Sequence, residues 1–374
     1  MRFRSFGVRA GVAAAAVVVV AAVAAGAAVA DAQQTPGEVL QDSLTTELAK
    51  DKLPGLIGMV RDGDSTAYAK AGWGDQFMRV PADPQAQFRI GSNTKAFTAV
   101  VLLQLEAEGK LSLDDTVDKW LPGAVSANGN DGTKITVRQL LNQTSGLKDY
   151  DAQPEVEGPY IADLDPNQRW DPQQLVDIAT AQAPYGDGKW HYSNTNYVLA
   201  GMIIKAVTGN DPQTEVENRI IKPLGLTHTT FPVTDSKLYG NWLHGYYYVR
   251  DISFSNVQVF NTAGSIVSTL DDLTTFESAL FSGRLLDTEQ QKELETTVPM
   301  SDTDTGGYGL GVGKVETRCG TAYTHTGAVL GYESVWISTP SGSRVVAVAT
   351  NEFNMVQDSV AENIYNAAQD AFCA

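Results

Sequence analysis

The chain has 374 residues, 43% of them hydrophobic, with 27 basic and 44 acidic side chains and a formal net charge of −17. That excess of acid repels phosphate backbones and anionic surfaces, which excludes nucleic acid as a partner. Two cysteines and four histidines, with no Cys-x-x-Cys and no Cys/His cluster at ligand spacing, give no support for a metal site, and no cofactor is expected.

At the start of the chain, Arg2, Arg4 and Arg9 lead into an Ala/Val run to about Ala30 and a small-x-small site at Ala30 and Ala32. This pattern predicts a secretory signal peptide over residues 1–32, or a membrane anchor if it is left uncut. The rest, 33–374, has no linker or repeat and reads as one exported domain. Leu56–Val60 and Thr66–Ala71 flank Asp62-Gly63-Asp64, a hairpin signal. Phe97, Val100, Val101, Gln104 and Leu105 follow a helical period, and Gly109 marks the helix stop. Further helical runs at Val137–Leu141 and Thr195–Val207 stand in a loop-rich middle. Ser334–Ser338 and Arg344–Ala349 flank Pro340-Ser-Gly342 as a second hairpin, and a helix from about Val356 to Phe372 ends the chain. The expected fold class is α+β. Both chain ends, about 33–110 and 285–374, share an antiparallel sheet flanked by helices, beside a mainly helical lobe of about 111–284. The cleft between the lobes is the expected site. Cys319 and Cys373 of an exported chain most simply pair, with two free thiols as the alternative.

The chemistry concentrates in Ser92-Asn93-Thr94-Lys95. A serine hydroxyl attacks carbonyls only with a base in reach, and helical spacing puts residues i and i+3 on one face. A desolvated lysine near a helix N-terminus can supply that base. A second Ser-x-x-Lys, Ser145 to Lys148, has glycine at its second position and reads as a loop. Two later segments complete the set: Tyr192-Ser193-Asn194 ahead of a helix, and His325-Thr326-Gly327. Tyr239-Gly240-Asn241 and His228-Thr229-Thr230 are decoys; the latter lacks the glycine that lets a substrate backbone approach.

Taken in order, Ser-x-x-Lys, Tyr-x-Asn and His-Thr-Gly resemble the serine penicillin-recognising hydrolases of the class C β-lactamase type, with a β-lactamase/transpeptidase-like fold. The likeness extends through Phe88–Ser92, Thr144–Leu147 and Gly307–Gly311, and is nearest to secreted D-alanyl-D-alanine carboxypeptidases. It implies Ser92 as nucleophile, Lys95 and Tyr192 sharing the base function, Asn194 orienting Lys95, and His325 and Lys95 as cationic neighbours of Tyr192. It also implies an oxyanion hole from the backbone N–H groups of Ser92 and Ala328, substrate contacts at Thr326 and Gly327, and a disulfide placed as Cys319–Cys373 would be. The implied carboxylate ligands are missing, because Gly313 stands where relatives carry arginine and Ala328 where they carry threonine. Val259 replaces a tryptophan, which predicts a wider, more apolar pocket. The resemblance therefore implies a penicillin-reactive, monomeric D-alanyl-D-alanine carboxypeptidase acting on small peptides. An esterase or D-amino-acid amidase of the same fold is the alternative, ahead of a β-lactamase or a non-catalytic β-lactam sensor.

Overall fold

The computed structural model describes residues 34–374, apart from 233, 257 and 354–358. The expected signal peptide lies outside the described residues. The chain enters through helix α1, Pro36–Asp51, opened by a capping box in which Thr35 and Glu38 satisfy each other's backbone N–H groups. Strands β1, Gly55–Asp62, and β2, Ser65–Asp75, form the first hairpin. Asp62 pairs with Ser65, so Gly63 and Asp64 make the turn, and Gly63 takes the left-handed φ of 56° that it needs. β3, Val80–Pro81, edges this hairpin.

After the helical middle the chain returns as β4 (Gly307–Tyr308), β5 (Gly313–Thr317), β6 (Gly320–Val329), β7 (Tyr332–Ser338) and β8 (Arg344–Thr350). The eight strands make one antiparallel sheet in the order β3-β2-β1-β8-β7-β6-β5-β4. The first hairpin thus pairs with the last strand, Met59 opposite Ala347.

The strand alternation of two divides the sheet between two cores. Leu56, Val60, Val335, Ile337, Val346 and Val348 pack with Leu40 and Leu44 of α1 and with Val360, Ile364 and Phe372 of the C-terminal helix, Ser359–Phe372. Ile57, Met59, Trp336 and Ala347 face the other way, toward Phe97, Val101, Tyr197 and Phe276. Both faces are covered, which is why these strands read as nearly continuous apolar runs.

Helix α2, Thr94–Ala107, lies in this second core with Ala96–Leu103 all buried. Ser92 sits just before it, in a 3₁₀ turn at Gly91–Asn93. Such a turn eclipses residues i and i+3, so Ser92 and Lys95 meet although the α-helix proper begins only at Thr94. Helix α3, Asn194–Thr208, packs beside α2, and α4, Leu270–Phe281, covers the inner face of β1, β7 and β8. Cys319, at the β5–β6 turn, is bonded to Cys373, which ties the C-terminal helix to the sheet.

Candidate active site

Two glycines bring the β6 strand against the Ser92 turn. A Cβ at Gly327 would lie 1.9 Å from the Ile90 carbonyl, and one at Gly91, where φ is +54°, would lie 2.7 Å from the Ala328 nitrogen. No larger side chain fits either place without pushing strand and turn apart. Asn93 Nδ2 donates to Ser334 Oγ at 2.9 Å and fastens the turn to β7. Ser92 and Ala328 consequently line the same cleft, where their backbone N–H groups can serve one oxyanion.

Lys95 is fully buried below Ser92. Its Nζ lies 2.9 Å from Ser92 Oγ, 2.7 Å from Asn194 Oδ1 and 2.9 Å from the Ala263 carbonyl. Burial, partly offset by Asp149 and Asp151, pushes the amine down to about 7. Two of its partners are carbonyl oxygens that can only accept. A neutral amine spends both N–H bonds on them, and its lone pair is left facing the Ser92 hydroxyl. The geometry therefore points the base function at Lys95. Tyr192 lines the same cleft as Ser92, and burial holds its hydroxyl well above the usual tyrosine range, so it stands as a proton donor. Lys95 Nζ lies 4.7 Å from the centre of the Tyr192 ring.

His325 does not fit the role of cationic neighbour. It is buried, with Nε2 2.9 Å from the Tyr308 hydroxyl and Nδ1 2.6 Å from the Thr326 carbonyl. The carbonyl requires Nδ1 to donate, so Nε2 accepts from Tyr308. Burial, together with nearby Lys95, pushes the ring down to about 3, and it is neutral. His325 therefore offers Tyr192 no positive charge. Thr326 is exposed on the side of β6 that Ala328 occupies.

The cleft holds about 360 Å³. Val156, Tyr160, Ile161, Val259, Phe260 and Phe353 wall it, and Asp151 and Glu157 bring carboxylates into it. Its described lining contains no Arg, Lys or His. Gly313 lies apart, paired with Thr324 and Tyr308. Lys314 pairs with Tyr323 and borders a different groove, with Phe281 and Glu295, so it does not replace the missing carboxylate ligand.

The second Ser-x-x-Lys is structural. Ser145 Oγ lies 2.5 Å from Asn196 Oδ1, and Lys148 Nζ stands 3.2 Å from the Tyr185 ring centre. Gln143 accepts from the Ser193 backbone at 3.0 Å through its side-chain oxygen, while its own backbone carbonyl accepts from the His191 backbone at 2.9 Å. It thus holds Tyr192's loop. Sequence reasoning missed Asp149 and Asp151 altogether. Both accept from the Asn194 amide, and only their place directly after the Ser-Gly-Leu-Lys loop could have drawn attention to them.

Comparison with known proteins agrees with this architecture. A D-stereospecific amidohydrolase from Streptomyces sp. is 40% identical with a TM-score of 0.80, over 84% of this chain and 94% of its own. A D-amino acid amidase from Ochrobactrum anthropi SV3, solved with L-phenylalanine amide, is 25% identical with a TM-score of 0.78, over 90% and 97%. A penicillin-binding protein of Bacillus subtilis (strain 168) is 26% identical over 327 residues, 82% of this chain and 69% of its own. The Beta-lactamase family model matches residues 40–371, and the chain belongs to that family of serine hydrolases.

Proposed function

We propose that this serine hydrolase cleaves amides, short peptides or esters of D-amino acids that carry a free α-ammonium group. The observation that carries this reading is the charge of the cleft: Asp151 and Glu157 beside an apolar wall, with no cation among the described lining residues. A carboxylate-terminated substrate such as D-Ala-D-Ala needs the opposite charge there, and loss of a bidentate arginine removes its strongest contact. An ammonium gains from two carboxylates, and the Val259–Phe260 wall suits an apolar side chain. The D-configuration rests on the similarity to the Streptomyces amidohydrolase.

In the proposed reaction Ser92 Oγ attacks the carbonyl carbon while its proton passes to the Lys95 amine. The oxyanion takes the N–H groups of Ser92 and Ala328. Tyr192 gives its hydroxyl proton to the departing nitrogen or oxygen, and the Lys95 ammonium beside its ring returns the proton taken from Ser92 to the tyrosinate. Water then hydrolyses the Ser92 ester by the same steps in reverse. The basic and apolar leader together with the Cys319–Cys373 bond supports export.

Comparing kcat/KM for D-phenylalaninamide, its N-acetyl derivative, the L-enantiomer and N-acetyl-D-Ala-D-Ala tests the reading. The free D-amine is expected to exceed the acetylated amide at least about tenfold, the worth of one charge-assisted contact. Faster release of D-alanine from the acetylated dipeptide would restore the carboxypeptidase reading.

A further inference from the structure

We propose that Asp149 is a positioning residue of the acylation step, holding the Asn194 amide with its oxygen toward Lys95 while sharing one proton with Asp151. Neither the motifs nor the similarities assign it a role, and it does not line the cleft.

A single oxygen, Asp149 Oδ2, accepts from the Asn194 backbone at 2.9 Å and from Asn194 Nδ2 at 3.3 Å. The same Nδ2 donates to Asp151 Oδ2 at 2.8 Å. Both N–H bonds of the Asn194 amide are therefore committed to the acids, and Oδ1 is left for Lys95. A flipped amide would set its oxygen against two carboxyl groups and its N–H bonds against an amine. With Oδ1 and the Ala263 carbonyl both taking N–H bonds from Lys95, the lone pair is aimed at Ser92. Asp149 thus acts on the nucleophile through Asn194 and Lys95.

Charge demands the shared proton. Asp149 Oδ2 and Asp151 Oδ2 both take the one Asn194 Nδ2 group, so two acids stand together in a buried place, and a proton held between them relieves their repulsion. Burial and mutual repulsion hold Asp149 well above the usual carboxylate range. Tyr150, Tyr160, Tyr192 and Glu157 face the pair with neutral or negative groups, so Lys95 is the cation that could ionise it fully. His325, on the other side of Lys95, is neutral. One proton thus has two possible homes across Asn194. On the acid pair, it leaves Lys95 a base; on Lys95, it leaves an ammonium that cannot accept from Ser92.

The test is the pH dependence of kcat and KM for p-nitrophenyl acetate, an ester with no amino group, so a failure of the ammonium reading leaves it intact. Asp149→Ala frees the Asn194 amide and is expected to lower kcat at least about tenfold with KM changed less than about threefold, as for a lost transition-state contact. Asp149→Asn keeps an acceptor for Asn194 and a donor for Asp151 without charge. It is expected to restore kcat to within about threefold, with the acid limb at its wild-type pH. Thermal melts identify variants that do not fold, and Asp149→Ser replaces alanine if that one fails. Unchanged kcat in the alanine or serine variant would overturn the positioning role. An acid limb about one unit lower in Asp149→Asn would show that Asp149 is ionised in the wild type and overturn the shared proton.

Discussion

Lys95 is the residue on which the chemistry turns, and its surroundings fix the sign of its pH dependence. Burial disfavours the ammonium, so the amine titrates at about 7 instead of near 10.5. Only the neutral form can accept the Ser92 proton, so kcat/KM is expected to be low below that point and to rise through it. A pH–rate profile on a non-ionising ester checks this, and Lys95→Met should lose at least about a hundredfold at every pH, a typical contribution of general-base catalysis. A second buried group has the opposite consequence. Glu277 is fully buried, and neither carboxyl oxygen has a hydrogen-bond partner among the described residues. Burial raises its pKa well above 4.5, so the folded state holds a proton that the unfolded state gives up. Its contribution to stability therefore falls as pH rises above about 4.5. Glu277→Met should raise the melting temperature, by more at alkaline than at acid pH, with about 1–3 kcal/mol from removal of an unsatisfied polar group. Thermal melts at two pH values measure it.

At the scale of elements, the site depends on how closely β6 approaches the 3₁₀ turn before α2. Gly327→Ala would set a Cβ 1.9 Å from the Ile90 carbonyl, and that overlap is relieved only by moving the Ala328 amide away from Ser92. The expected result is a kcat loss of about a hundredfold or more, the worth of one oxyanion donor, in a protein that still melts cooperatively. Ester turnover beside a melting curve separates the two effects. The strands, their turns and the main helices were legible in the sequence because each depends on local periodicity and local glycine chemistry. Ser92, Lys95, Tyr192 and Asn194 were legible as motifs. What lay beyond reach was long-range. Nothing local to His325 shows that Tyr308 will bury and neutralise it. Gly313 and Lys314 needed the β5–β6 register before either could be placed. Asp149 and Asp151 read as loop residues until the fold set them under Asn194.

On the scale of the whole molecule, the chain closes on itself, since β1 pairs with β8 and α1 packs on the C-terminal helix. The Cys319–Cys373 bond, spanning 54 residues, secures that closure far from the cleft residues in sequence. Cys373→Ser should cost about 4 kcal/mol on the chain-entropy account of a loop this long, lowering the melting temperature while leaving kcat at low temperature within about twofold. Denaturant unfolding and initial rates measure the two.

The account as a whole rests on Ser92 being the acylated residue. The most direct measurement is intact-mass and peptide-mapping mass spectrometry of the protein quenched during turnover of a D-phenylalanine p-nitrophenyl ester, with Ser92→Ala alongside. The predicted result is a D-phenylalanyl adduct confined to the peptide containing Ser92 and absent from Ser92→Ala. An adduct on Ser145, or ester hydrolysis that persists in Ser92→Ala, would contradict it.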